Sequence, residues 1–139
     1  ILYNYILPFM AEREPTFTLR VVKFGEGLLM PTLREEKQMT LRKYRPEAHQ
    51  FKKGDLFIGS FEEGLDVVLH ATADTEVKTF RELTDEEAQE DGFLDTADAL
   101  EKMKKYYPDL TGDTKLGIIR FEIVEIIKGI PWVKVNKDH

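Results

Sequence analysis

Hydrophobic and polar positions fall into short alternating runs broken by glycine and proline. TFTLRVVKF, residues 16–24, is dense in β-branched and aromatic side chains and predicts a strand, which Gly25 and Gly27 then release. Pro31 suits the first turn of a short helix over PTLREE, and KQMTLRKY, residues 37–44, resumes an extended pattern. Lys53-Gly54-Asp55 reads as a turn feeding a strand from Leu56, and LDVVLHATA supplies the next strand. The connection between them, Glu62-Glu63-Gly64, has hairpin length.

The pattern changes at Leu83. Thr84 and Glu87 have capping-box spacing, so a short acidic helix follows and Gly92 ends it. Asp95 or Thr96 can cap a second helix in which Leu100, Met103 and Tyr107 share a face, with Pro108 as the stop. KLGIIRFEIVEII is a long strand in which Ile119, Phe121 and Ile123 alternate with Arg120 and Glu122, giving one buried and one wet face. The tail KGIPWVKVNKDH can add an edge strand carrying Trp132 or lie across the surface. Strands this closely spaced leave little room for helical crossovers. The expected fold is therefore α+β, a small mixed or antiparallel sheet curling toward a barrel with short helices inserted, and the barrel mouth is the natural ligand site.

Composition narrows the function classes. With 139 residues, nine Phe and 42% hydrophobic content, the chain can bury one real core. A net charge of −6 argues against a coat that grips nucleic acid by charge alone, but the charge is segregated. Residues 34–53 hold seven Lys or Arg against three Glu, whereas residues 81–91 hold one Arg against six carboxylates. There is no cysteine, which excludes disulfide-linked partners and thiolate metal sites and fits a reducing cytoplasm. His49, His70 and His139 lie far apart with no metal-ligand spacing, so no metal or other cofactor is called for. His70, inside an apolar strand, reads as a half-buried structural histidine. The apolar start ILYNYILPFM is broken by Asn4 and Pro8 and is about half the roughly 20 residues of a membrane span. It reads as a leader, not an anchor.

Within KQMTLRKY, alternation puts Thr40 and Arg42 on one wall and Met39 and Leu41 on the other. Lys37 has the opposite parity to Thr40. The two converge only if Lys37 lies in the turn before the strand or a bulge re-aims it. A simply solvated strand fits the same pattern. RKYRPEAHQFKK places basic residues beside aromatics, which suits phosphate contact and base stacking as well as it suits a charged surface loop. Glu90 or Asp91, at the end of the acidic helix, can turn toward the basic segment. Glu35 and Glu36 can pair with Lys37. No GxSxG nucleophile elbow is present.

The ordered set KQMTLR, FKKGD, FRELTDEEAQEDGF, YYP and GIIRFEIVEI resembles the ASCH domain family, whose fold is a PUA-like β-barrel. The resemblance covers residues 16–127, leaving 1–15 as an N-terminal leader and 128–139 as a C-terminal tail. It implies binding of RNA or a modified nucleoside in the barrel cleft, with Arg42, Lys43, Tyr44 and Arg45 as ligand-binding residues. One branch of the family hydrolyses N4-acetylcytidine without a metal, using a lysine and threonine of a KxxTxR stretch and a glutamate from the helical insert. Lys37 and Thr40 match the first two. Asp91 stands at the carboxylate position, with Glu90 as the alternative acid. Such chemistry would use Lys37 as base toward the Thr40 hydroxyl and the carboxyl as acid toward the leaving amine. Two readings follow: an RNA- or nucleoside-binding module, and alternatively a small amidohydrolase.

Overall fold

The computed structural model describes residues 17–127 and 133–135. Eight strands and four short helices form the described part. They are β1 (Phe17–Leu19), β2 (Val21–Phe24), α1 (Leu29–Leu33), β3 (Met39–Lys43), α2 (Pro46–His49), β4 (Leu56–Phe61), β5 (Asp66–Ala71), β6 (Glu76–Thr79), α3 (Asp85–Glu90), α4 (Thr96–Met103), β7 (Lys115–Ile127) and β8 (Val133–Val135). A 3₁₀ turn, Phe80–Glu82, joins β6 to α3. Among the described residues, no helix is long and apolar enough to cross a membrane.

The main sheet runs β2-β4-β5-β7-β3, with β6 also on β7. All its pairs are antiparallel except β2 with β4, so the sheet is mixed. The thirteen residues of β7 act as its spine. The first half pairs with β3 and β6, and the second half pairs with β5. Val68 pairs with Glu125 and Leu69 with Ile123, so β7 carries one extra residue, Val124, a β-bulge that bends this strand and helps the sheet curl into a half-barrel. Curling without closing leaves β2 and β3 as facing open edges. A separate parallel pair joins β1 to β8. The expected leader and Trp132 lie outside the described residues.

Two apolar clusters sit on opposite faces of the curled sheet. Inside it, Phe24, Phe51, Phe57, Phe61, Leu69 and Phe121 are buried, with Phe24 stacked on Phe61 at 4.8 Å and Phe51 on Phe57 at 4.4 Å between ring centroids. Outside it, Met39, Leu41, Leu116 and Ile118 pack against Ala88, Ala99 and Met103 of α3 and α4. The long strand therefore corrects one expectation. Ile119 and Phe121 face the inner core as alternation requires, but Leu116 and Ile118 on the supposedly wet face are covered by the two helices.

Local signals explain most boundaries. The Thr84 hydroxyl accepts from the Glu87 amide at 3.1 Å, and Glu87 accepts in return from the Thr84 amide at 3.0 Å. Asp95 caps α4 by accepting from the Asp98 amide at 2.8 Å. The Glu62-Glu63-Gly64 hairpin forms, with Gly64 at φ 89°. Several expectations need correction. The described part of the first predicted strand, residues 17–24, forms two strands broken at Arg20, α1 begins two residues before Pro31, and α4 stops at Met103, well short of Pro108. The charged stretch after Arg45 folds one helical turn, α2, which buries Ala48 and His49.

Gly59 on β4 allows the inner aromatic stack. A Cβ there would lie 2.9 Å from Leu69 Cδ1, 3.2 Å from the Phe61 ring and 3.3 Å from the Phe24 ring. Gly59→Val should therefore overpack the core and cost about 1–3 kcal/mol of stability, read as a lower urea midpoint.

Candidate functional site

The open seam between β2 and β3 leads into a cleft of about 680 Å³. Its polar lining includes Lys37, Thr40, Arg42 and Asp91, and its aromatic lining is Phe24, Phe93, Tyr106 and Tyr107. Three segments bring the polar groups together. After α1 the backbone turns through Glu35 at φ 61°, and the amides of Glu36 and Lys37 both donate to the Pro31 carbonyl, at 2.9 and 3.1 Å. Lys37 thus precedes β3 and is not part of it, which frees it from strand parity. Thr40 and Arg42 come from β3 itself, and Asp91 caps the C-terminus of α3.

Lys37 and Asp91 form a buried ion pair, with side chains only 6% and 9% exposed. Lys37 Nζ also donates to the Met39 carbonyl at 2.8 Å, and the second oxygen of Asp91 accepts from the Leu41 amide at 3.3 Å. The Asp91 carboxylate therefore tethers the end of α3 to both the approach and the middle of β3. Burial pushes its pKa above the ordinary aspartate range, while Lys37, the Leu41 amide and Arg42 pull it back. Glu35 and Glu36 are exposed and do not pair with Lys37 among the described residues, because the turn points them to solvent.

Thr40 is buried and accepts from Arg42 Nε at 3.2 Å. The half-buried Arg42 guanidinium reaches across the seam to lie 5.1 Å above the Phe24 ring on β2. Burial lowers its pKa, opposed by Tyr107 and Asp91, and an arginine remains charged throughout the physiological range. Its terminal nitrogens meet no carboxylate within ion-pair distance among the described residues.

The other sequence candidates separate. Glu90 points away from the cleft and accepts from Arg120 Nη2 at 3.3 Å, since one residue along the helix end turns it to the opposite side. Lys43 and Arg45 line a smaller adjoining cavity of about 270 Å³. Tyr44 lines neither space, and its hydroxyl donates to Gln50 Oε1 at 2.5 Å. His70 is half-buried and lies 3.5 Å from Glu122. Sequence reasoning missed Lys23, Phe24, Phe93 and Tyr106 as lining residues, and it read Tyr107 as a helix-face residue. Only the YYP motif gave a signal.

The wall of the smaller cavity is held by His49 and Thr75. Thr75 Oγ1 donates to the His49 carbonyl at 2.6 Å and accepts from the Phe51 amide at 2.9 Å, while His49 Nδ1 accepts from the Arg45 amide at 3.0 Å. Burial lowers the His49 pKa to about 4, helped by the positive charges of Arg42, Arg45 and Arg20.

Solved structures share this architecture. An ASCH domain from Lactobacillus crispatus JV V101 matches with a TM-score of 0.61 at 12% identity, over 88% of this chain and 92% of that one. A protein from Enterococcus faecalis V583 described by the family model DUF984 matches with a TM-score of 0.59 at 19% identity, over 92% of this chain and 97% of that one. The fold is that of an ASCH domain. No family model matches the sequence, and no curated protein matches it. At such identities the likeness is one of fold. What this ASCH-fold cleft can hold is set by its own residues.

Two outcomes follow from the charges. Asp91→Ala leaves the Lys37 ammonium buried without a counter-charge and should cost about 3–5 kcal/mol, measured by denaturant unfolding. His49 binds its proton less readily folded, at about 4, than unfolded, near 6.5. Its stabilising contribution is therefore complete above pH 6.5 and declines as pH falls toward 4, by about 3 kcal/mol. His49→Asn, which keeps an acceptor for the Arg45 amide, should flatten that part of the pH-stability curve.

Proposed function

We propose that this ASCH-fold module binds a pyrimidine nucleoside, of the cytidine or modified-cytidine type, in the cleft between β2 and β3. The observation that carries this reading is the cleft itself. Lys37, Thr40, Arg42 and Asp91 supply polar groups at fixed positions, and four aromatic side chains line the same space. A cleft of about 680 Å³ lies within the usual range for small-molecule sites, which combine apolar or aromatic walls with a few converging polar groups. Aromatic faces take a base by stacking, and a carboxylate or guanidinium reads its polar edge. The ASCH resemblance of the sequence points to the same ligand class.

A second reading, hydrolysis of an acylated cytidine, is favoured by one observation: Lys37, Thr40 and Asp91 line one cleft. The hydrogen bonding speaks for binding instead. Lys37 acts as donor to Asp91 and to the Met39 carbonyl, and the hydroxyl of Thr40 is held by Arg42 and not by Lys37. A base must accept the hydroxyl proton within hydrogen-bond reach, and this arrangement leaves Lys37 committed elsewhere.

Calorimetric titration with cytidine and N4-acetylcytidine tests the first reading, and absorbance during incubation with N4-acetylcytidine tests the second. Saturable binding, weakened about tenfold or more by Arg42→Ala and without turnover, is expected. Deacetylation that disappears in both Lys37→Ala and Thr40→Val would replace the binding module with the hydrolase. Absence of any nucleoside binding would sink the first reading outright.

A further inference from the structure

We propose that the smaller cavity is a phosphate subsite, so that the ligand of this protein is a nucleotide and not a bare nucleoside. This rests on the reading of the large cleft as a nucleoside site. The two spaces adjoin, because Lys23, Arg42 and Tyr107 line both. A group bound in the large cleft can therefore project a substituent past Arg42 into the small one.

The charge of the small cavity is the reverse of the chain's. The protein carries a net charge of −6, yet Lys23, Arg42, Lys43 and Arg45 line this cavity and no carboxylate does. The carboxylates nearest these cations lie outside it. Lys43 pairs with Asp109 at 2.6 Å and Arg45 with Glu47 at 4.0 Å, and those carboxylate side chains are 71% and 61% exposed. Pairs so open to water hold a cation weakly, so a multiply charged ligand can displace them. Arg42 and Lys23 have no carboxylate within ion-pair distance among the described residues. A half-buried guanidinium whose terminal nitrogens have no carboxylate partner stands at the junction of the two cavities, placed to donate to an anion in either. Its planar fork matches the oxygens of a phosphate.

The remaining lining agrees. His49, which faces the cavity, is neutral above about pH 4 and contributes no charge of its own. Burial is the main cause of its neutrality, and the positive charges of Arg42 and Arg45, which line the same wall, add to it. About 270 Å³ accepts a phosphate together with several waters, each occupying about 30 Å³.

The phosphate can belong to a free mononucleotide or to an RNA strand, and calorimetry at low salt separates these sources. The ligands are cytidine, cytidine 5′-monophosphate, cytidine 3′-monophosphate and a short oligocytidylate, each titrated into wild type and into the Lys43→Ala/Arg45→Ala double variant. Both substituted side chains line only the small cavity, and circular dichroism confirms that the variant is folded. At least one phosphorylated ligand should bind wild type about tenfold more tightly than cytidine, the gain should shrink as salt rises, and the double variant should lose it while keeping its cytidine affinity. A gain with a monophosphate identifies a free nucleotide; a gain confined to the oligocytidylate identifies a strand. If cytidine binds and no phosphate adds affinity, or if the gain survives in the double variant, the subsite is overturned while the nucleoside reading stands. If neither cytidine nor any phosphorylated ligand binds, both fall together.

Discussion

The buried ion pair between Lys37 and Asp91 is the constraint on which the site depends. Taking two charges out of water is expensive, and their attraction compensates only where the remaining donors and acceptors are also satisfied. Here they are, by the Met39 carbonyl and the Leu41 amide. The pair fixes the distance between the end of α3 and the start of β3, and so fixes how the helical layer sits over Met39 and Leu41. It also sets the polar side of the cleft. One interaction thus joins the packing of the outer cluster to the chemistry of the inner space.

The cleft exists because the sheet curls without closing. β7 is long enough to pair with β3 and β6 along one half and with β5 along the other, which carries β3 around until it faces β2 without pairing to it. Facing edge strands ordinarily invite pairing with each other or with another chain. In this protein the gap is spanned by a side chain, Arg42 from β3 lying over Phe24 from β2. Because Arg42 also borders both cavities, the residue that bridges the open sheet is the one any ligand must meet. Structural and ligand-facing roles coincide in it.

Much of this arrangement was legible from local chemistry. The alternation is seen in the packing, with Met39 and Leu41 in the outer cluster and Thr40 paired to Ile119 of the inner one, although Leu41 also borders the cleft; the Thr84/Glu87 cap and the Glu62-Glu63-Gly64 hairpin form as the sequence indicates. The condition that Lys37 must lie before the strand to escape its parity is met by the left-handed turn at Glu35. What stayed hidden depends on contacts distant in sequence. Nothing local marks Thr75 as the residue that pins His49, since they are 26 positions apart and meet only after the sheet forms. Burial of Leu116 and Ile118 requires knowing that α3 and α4 cover the outer face. Tyr107 has helical spacing with Leu100 and Met103, but α4 ends four residues earlier, which leaves Tyr107 beside the cavities.

Net charge is a poor guide to what such a protein holds. The acidic surplus is concentrated on exposed positions of the helical insert, where salt and water screen it over about 10 Å. The cations that matter stand around a concave surface with low-dielectric walls, where a field is focused and not averaged away. Asp91 is the one acid of the insert drawn into this setting, and Lys37 neutralises it. Arg42 is then left as the half-buried charge without a carboxylate among the described residues, at the boundary of two spaces. An overall acidic chain can therefore present a local anion site, with the repulsion of its acidic surface acting against long polyanions more than against a small ligand that enters the seam.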